Sequence, residues 1–566
     1  MSPNTPSKTQ PDPELHQLLQ NLDENGKNEV IQLIQDLLKQ ASTTEHLLAM
    51  QYLFSCFSIK KYPEEFSDYV PNPDPNDKAQ AKVNQIRLAQ IEKLRRWEAN
   101  VLMVAREEMT HLTYVNNLLA IIDQEPFLFR PNFPVPAEAF PLQKPVNLMP
   151  FGQFALEIFR YWEKPDHLPV PDPLTGSNIP KKLRALFTIP HPEVDPFKPL
   201  ESREKAMKFF GEFLKDTHDP EKLKQLIAPL ENGTYFKSIE ELYTYIREYL
   251  LIALKYKIIE GKNMERIVDE HYGFNINLNP LVLGKYEDYV LEAINQIIEE
   301  GEGVWGVPPA LGSHFWVFQS VLDEVQKEAQ ETGLPFEPSL PVVWNPSYQV
   351  QSNRHLIKQR AGMPRTAVAK VDNAVAVKAM KLFDQAYNTM VKMLHGFFGK
   401  YEIDQTTGIH PPEVNAYFQT AFYPFMTNII RPLGELICRL PADESYSPMA
   451  GRVPDRCAGP DFLFNIDQTD AAAQVKVTKA FASLDPYLKA FSEMAASAKE
   501  LAILCQQRGY HVAYYQQPDA RDFDVCFIYL SENFQRIGKN FEAYWKGEMV
   551  APVSSKGFQN YSSTFN

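Results

Sequence analysis

A glutamate and a histidine three residues apart, inside a long helical pattern, constrain this chain more than any other feature. Glu108 and His111 belong to the segment 79–122, whose apolar residues recur at helical spacing. Side chains three positions apart share a helix face, so this carboxylate and this imidazole can bind one metal ion together. Both lie within or beside the apolar stripe, where a carboxylate is costly unless something positive neutralises it. The pair therefore indicates a metal site. The alternative is a solvated helix face, since Glu and His often fall three apart.

A second glutamate, Glu45, lies on the apolar side of another predicted helix, which opens at Thr43. Glu45 lines up with Leu48 and Tyr52 rather than with exposed charges. Four-helix metal sites combine such a lone glutamate with a Glu-x-x-His pair on a facing helix. The alternative is a helix-initiating charge near the positive end of the helix dipole, with Thr43 or Thr44 as the cap.

Candidates for the other half of such a site follow near residue 300. A predicted helix over 291–300 ends at a glycine-rich turn, and a new helix begins near His314. The short loop makes these helices antiparallel and brings Glu299 and Glu302 close to His314. The alternative is a glycine turn with solvated glutamates and a histidine near a helix cap.

Seven short segments resemble, in order and spacing, the ferritin-like domain of the iminophenyl-pyruvate dimer synthase family. The segments are TEHLLAMQY, REEMTHLTYVNNLL, EPFLFRPNFPVP, IEEGEG, SHFWVF, IRPLGELICRLP and AGPDFLF. The resemblance covers about residues 40–465 and is sharpest in the first three hundred. The enzymes that give the family its name belong to bis-indole pigment biosynthesis of the violacein type. They couple two molecules of an oxidised aromatic amino acid imine.

The resemblance implies a mostly α-helical fold: a ferritin-like four-helix bundle elaborated with long Pro-rich crossovers and additional C-terminal helices. It implies five metal ligands, with Glu299 as the alternative to Glu302: Glu45, Glu108, His111, Glu302 and His314. A complete second Glu-x-x-His would need a glutamate at position 311, where this chain has Leu311. Either Glu299 or Glu302 supplies the missing oxygen, or the site holds a single ion. Glu107 points about one hundred degrees from Glu108, and we expect it to be solvated.

Three carboxylates and two imidazoles suit non-haem iron, mononuclear or dinuclear, or manganese; zinc would also bind. Haem is a further alternative, with His314 or His395 as its axial ligand. Tyr52 and Tyr114 are candidates to orient a ligand, against ordinary core packing. Trp305 and Trp316 are the best candidates for the wall of a substrate pocket. No catalytic residue is assigned.

Two functions remain open at this point. The first is a metal-dependent oxidase or oxygenase of specialised metabolism, acting on an aromatic or amino-acid-derived small molecule; only the resemblance favours oxidative coupling. The second is a non-catalytic ferritin-like metal-binding or scaffold protein, which Leu311 favours.

Composition excludes several other classes of function. The net charge is −14 and no basic helix occurs, which argues against nucleic acid as a partner. No stretch approaches the ~18 apolar residues that would span a membrane. An odd set of five scattered cysteines fits reduced thiols, so we expect a cytoplasmic protein, with homodimerisation left open. Cys438 and Cys457 could pair, but free thiols fit better.

Helical blocks alternate with Pro-rich crossings along the chain, which suggests four units. They are a disordered tail (1–12), a metal-binding bundle with its crossover (13–335), a helical extension packed on the bundle (336–465) and a C-terminal helical region (466–566). Within the first crossover, prolines exclude long helices except around 151–162.

Overall fold

The structure is a computed structural model, and it describes the following residues: 24–135, 140–142, 144–165, 168–174, 236–262, 266–268, 286–301, 312–349, 368–401, 410–446, 453–464, 483–510 and 523–549. Structural statements below refer to these residues. The predicted tail 1–12 lies outside them, and so do Glu302, Trp305 and Leu311. The predicted division into four units stays a prediction.

The described chain is mostly α-helical with very little strand, which confirms the predicted fold class. The helices are α1 Glu24–Ser58, α2 Lys78–Ile121, α3 Gln153–Trp162, α4 Ile239–Lys255, α5 Tyr286–Gly301, α6 His314–Glu331, α7 Ala374–Lys400, α8 Pro412–Thr420, α9 Arg431–Ile437, α10 Leu484–Arg508 and α11 Phe523–Trp545. A 3₁₀ turn covers Pro63–Glu65, and a π-helical segment, Ala421–Ile430, joins α8 to α9. Two short strands, β1 Pro346–Ser347 and β2 Ala369–Lys370, pair in parallel.

The helix α1 does not open at Thr43, as the sequence had suggested, but already includes residue 24. Its apolar stripe continues upstream through Ile34 and Leu38, both fully buried. The Thr43 hydroxyl donates to the Phe129 carbonyl (3.1 Å) instead of capping the helix. Glu45 therefore lies mid-helix, and its interpretation as a helix-initiating charge is wrong.

The helix α2 agrees with the predicted bounds to within one residue at each end. Asp77 caps it by accepting a hydrogen bond from the Gln80 amide (2.9 Å). Its buried face, which includes Trp97 and Val101, packs along α1. Because α5 and α6 also pack against α2, and α4 packs against both α1 and α5, the polar residues of these helices share one interior.

The C-terminal helices differ in detail from the prediction. The apolar spacing predicts a helix over 368–400, and the observed helix begins at Ala374, because the Asn373 side chain caps it by accepting from the amides of Val375 and Ala376. The apolar spacing also predicts one helix over 414–440, but the structure interrupts it with the π-helical segment, which contains Pro424. The pair α10 and α11 packs against α7 and α8, and the described cysteines are free thiols. Within the described residues, no helix has both the length and the apolarity that crossing a membrane requires.

Candidate metal centre

Two histidines face each other in the interior between α2 and α6. The ring centroids of His111 and His314 are 5.2 Å apart. Glu108 lies between them, with one oxygen 3.3 Å from Nδ1 of His111 and the other 3.1 Å from Nδ1 of His314. All three side chains are buried, and one ligand atom from each lies within 4.8 Å of the others. This spacing allows the three residues to bind one metal ion.

The local sequence explains how the histidines reach this point. His111 follows Glu108 by three positions on α2, which aligns the two side chains on one face. His314 is the first residue of α6, after Gly312 at φ +140°. A residue with a side chain rarely adopts that backbone conformation, so a glycine at this position allows the chain to turn into α6.

Glu45 joins the cluster from α1. One carboxylate oxygen lies 3.4 Å from Nδ1 of His111, and the other accepts a hydrogen bond from the hydroxyl of Tyr243. Burial, reinforced by the negative charge of Glu108, raises the pKa of Glu45 to about 8. A carboxylate in this position would be stabilised in its charged form by a cation.

Three further carboxylates, which sequence reasoning did not identify, complete the cluster. Glu300 on α5 lies 3.2 Å from Nε2 of His111, and Glu107 lies 3.2 Å from Nε2 of His314. Glu163, which follows the last residue of α3, lies 3.6 Å from Nδ1 of His314. The expectation that Glu107 is solvated is wrong, because its side chain is only 16% exposed and contacts His314.

The structure does not bring every predicted ligand into the cluster. Glu299 is exposed on the outer face of α5, one residue before Glu300. Glu302 lies outside the described residues and stays a predicted ligand. His395 lies elsewhere, with its ring 6.3 Å from that of Phe129.

The charges in the cluster are mutually dependent. Burial alone would lower the pKa of both histidines, but the surrounding carboxylates raise it well above its usual range. Burial would likewise raise the pKa of Glu108, yet His314 and His111 hold it below its usual value. Five carboxylates against two imidazoles leave an excess of acid, and no lysine or arginine is among the described contacts of these carboxylates. A bound cation would balance this excess.

One detail of the hydrogen bonding tests whether a metal ion fits. Oε1 of Glu108 and Nδ1 of His314 are buried and 3.1 Å apart, but neither makes a hydrogen bond. A buried polar atom without a partner costs about 1–3 kcal/mol, so native structures keep few of them. Two such atoms directed into a common space, rather than at each other, fit a shared ion.

The space beside these atoms is small. A cavity of about 10 Å³, measured for the centre of a water-sized sphere, is lined by Glu45, Glu108, His111, Glu163 and Tyr243, among others. This volume corresponds to roughly one water molecule. Among the described residues, the cavity therefore suits an ion or a small oxidant and offers no room for a porphyrin.

Hydroxyl and amide groups hold the carboxylates in place. The Tyr52 hydroxyl donates to Glu163, just as that of Tyr243 donates to Glu45. Tyr114 acts one step further away: it donates to Gln296 (2.7 Å), whose amide donates to Glu300 (2.7 Å). Such outer contacts orient the groups that bind a metal.

The comparisons with known proteins agree with this architecture. The profile of a family described as Ferritin-like matches residues 38–323, about half of the chain. The match runs from α1 into α6 and includes every residue of the cluster. No curated protein and no solved structure matches the chain. The chain belongs to the ferritin-like family.

Proposed function

We propose that this chain is a metal-dependent oxidase or oxygenase with a non-haem, dinuclear iron centre. The observation that carries the proposal is the buried group of Glu108, His111 and His314, in which Glu108 presents one oxygen to each imidazole. Bound iron would supply the redox chemistry that couples reduction of dioxygen or peroxide to oxidation of a substrate.

The two ring nitrogens of each imidazole have different neighbours, and these neighbours suggest which residues would hold the metal. Nδ1 of both histidines faces the interior, where Glu45, Glu108 and Glu163 lie. Nε2 of His111 lies beside the carboxylate of Glu300, and Nε2 of His314 lies beside that of Glu107. A metal-binding histidine usually donates its other N–H to such an acceptor.

We therefore assign Glu45 and His111 to one ion, Glu163 and His314 to the other, and Glu108 to both. Glu300 and Glu107 would orient the imidazoles through Nε2. In this assignment Glu163 supplies the oxygen that Leu311 cannot, and Glu302 could add a further ligand. The chain's own residues thus provide a water-poor site in which hydroxyls fix two of the carboxylates.

The substrate class rests on the resemblance alone. It is an aromatic or amino-acid-derived molecule, and the favoured reaction is oxidative coupling, in which two such molecules join as they are oxidised. Trp316, half-buried beside Phe315 in the first turn of α6, is the described candidate for a pocket wall. The small cavity favours a second function, non-catalytic metal binding, because within the part of the chain that the structure describes it has no room for an organic substrate.

Metal analysis and oxygen consumption separate these functions. We expect about two irons per chain after anaerobic loading with ferrous iron, and an absorption spectrum without a Soret band. Oxygen consumption that depends on an aromatic amino acid derivative would support the oxidase. Stoichiometric metal without such consumption would support the non-catalytic function, and no stoichiometric metal would overturn both.

A further inference from the structure

A second, larger cavity lies beside a neighbouring face of α1 and α2. Its volume is about 380 Å³, measured for the centre of a water-sized sphere, and residues of α1, α2, α7, the π-helical segment and α9 line it. Small-molecule sites in proteins commonly measure roughly 300–1,000 Å³. The cavity is thus large enough for an organic ligand, unlike the space at the metal cluster.

The lining is mostly apolar and rich in methionine and phenylalanine. Four methionines from four different elements line the cavity: Met50, Met109, Met390 and Met426. Phe57 and Phe422 line it as well. Thioether sulfurs make favourable contacts with aromatic rings, and aromatic rings pair with one another edge to face or offset. A lining that combines both side chains therefore favours an aromatic ligand over a saturated one.

One wall is formed by the π-helical segment. Phe422, Met426 and Ile430 lie four positions apart along it, and all three line the cavity. π-Helical turns are rare, and they occur frequently at functional sites. The backbone of this wall therefore agrees with a binding role for the cavity.

The charged groups of the lining already have partners. Among the described residues that line the cavity, Arg106 and Arg431 are the charged ones, and no carboxylate belongs to the lining. Arg431 donates to Glu98 and to Glu435, each at 2.8 Å, so its charge is balanced. Arg106, which is exposed, interacts with a partner of its own. A charged ligand would lose its hydration here without gaining a counter-ion, so the cavity favours a neutral one.

We propose that this cavity binds a neutral aromatic molecule. Its rings would lie among the methionines and against Phe57 and Phe422. Apolar cavities in proteins stay free of water and take up benzene, which is the same kind of binding. This site does not depend on the proposed oxidase function, because no residue assigned to the metal lines the cavity.

Titration of the full chain with N-phenyl-1-naphthylamine tests the proposal, because this neutral aromatic probe becomes fluorescent when it leaves water. We expect saturable binding with one site per chain. Met426→Trp and Leu53→Trp each fill part of the cavity and should abolish this signal. Both residues are only partly buried, so the larger side chain is not forced into the close-packed core. Met103→Trp is the matched control and should bind the probe like wild type, because Met103 lies on α2 but is 40% exposed and does not line the cavity.

Metal content should stay unchanged in both filling variants. Failure of this proposal and failure of the proposed function can therefore be distinguished, since the first is measured by the fluorescence of the probe and the second by metal content and oxygen consumption.

Two comparisons test the chemistry of the ligand. The sulfonated counterpart of the probe, 1-anilinonaphthalene-8-sulfonate, should bind the cavity about tenfold more weakly, because its charge would lie in an apolar space beside cations that already have partners. The aromatic alcohol 2-phenylethanol should displace the probe at lower concentration than 2-cyclohexylethanol, its saturated counterpart. The proposal is overturned if the neutral probe does not bind, or if both filling variants bind it like wild type. It is equally overturned if the sulfonate binds the cavity as tightly as the probe, or if the saturated alcohol displaces the probe as readily as the aromatic one.

Discussion

The substitution Glu163→Gln tests the assignment of the second ion most directly. Glu163 is buried, accepts a hydrogen bond from Tyr52 and lies 3.6 Å from Nδ1 of His314. Glutamine has nearly the same shape and keeps one oxygen for Tyr52. The change therefore removes a negative charge and a ligand atom while it leaves packing intact.

Two effects should follow. Loss of a direct ligand should weaken the second ion at least as much as loss of an outer-shell partner, which lowers metal affinity 10–100-fold; we expect about 100-fold, or ~2.7 kcal/mol. Without metal, the stability of the variant should change little, because Glu163 repels Glu108 but attracts the protonated imidazole of His314.

The assay is metal content by mass spectrometry, combined with thermal unfolding with and without ferrous iron. Wild type should bind about two ions per chain and the variant about one, and the stabilisation by metal should fall accordingly. Glu299→Gln is the control, since Glu299 is exposed on α5. Equal metal content in Glu163→Gln and wild type would refute the assignment. Loss of metal in Glu299→Gln would indicate that Glu299 is a ligand.

Three further predictions concern other parts of the molecule. His111→Ala should abolish metal binding and leave the helical circular dichroism unchanged, since it removes the imidazole that Glu108 contacts. Tyr243→Phe should weaken metal affinity about tenfold, because Glu45 loses the hydroxyl that orients it. Burial raises the pKa of Asp384 to about 7, and burial together with the charge of Asp384 raises the pKa of Asp461 well above its usual value. The folded state therefore keeps protons that the unfolded state has lost, so stability should fall as pH rises from about 4 through 7, and Asp461→Asn should flatten this dependence in thermal unfolding.

Each of these predictions has a matched control. His395→Ala removes a histidine outside the cluster and should keep the metal. Tyr245→Phe, on the same helix as Tyr243, should leave metal affinity unchanged. Asp372→Asn changes an aspartate whose pKa is lowered by its hydrogen bonds, so the loss of stability with rising pH should persist. An effect in a control equal to that in its partner would contradict the corresponding prediction.

The parts of the fold that local periodicity determines could be predicted from sequence. The bounds of α2 were predicted to within one residue, because its apolar spacing continues without interruption. The same periodicity placed Glu45 and Glu108 on core-facing positions, and both are buried. The resemblance, rather than periodicity, implied that His111 and His314 share a site, and their ring centroids lie 5.2 Å apart.

Tertiary contacts decided what the sequence did not predict. Thr43 looked like a helix cap, but its hydroxyl donates to a carbonyl 86 residues away. Glu300 could have been identified, because it continues the buried spacing of Ala293 and Ile297, whereas Glu299 does not. The π-helical segment had a signal as well, since Pro424 cannot donate the hydrogen bond of a regular helix.

Glu163 carried a similar signal, and its position bears on function. It continues the buried spacing of Ala155 and Phe159 on α3, and it enters the cluster from outside the helices that carry the other ligands. Leu311 argues for a degenerate scaffold only if the second half of the site must come from a second Glu-x-x-His. The buried carboxylate of Glu163, 3.6 Å from His314, removes that requirement, because a metal ion can bind a suitably placed carboxylate oxygen from any part of the chain. The absence of the second motif is therefore no evidence against a dinuclear centre, and the metal content of Glu163→Gln decides the question.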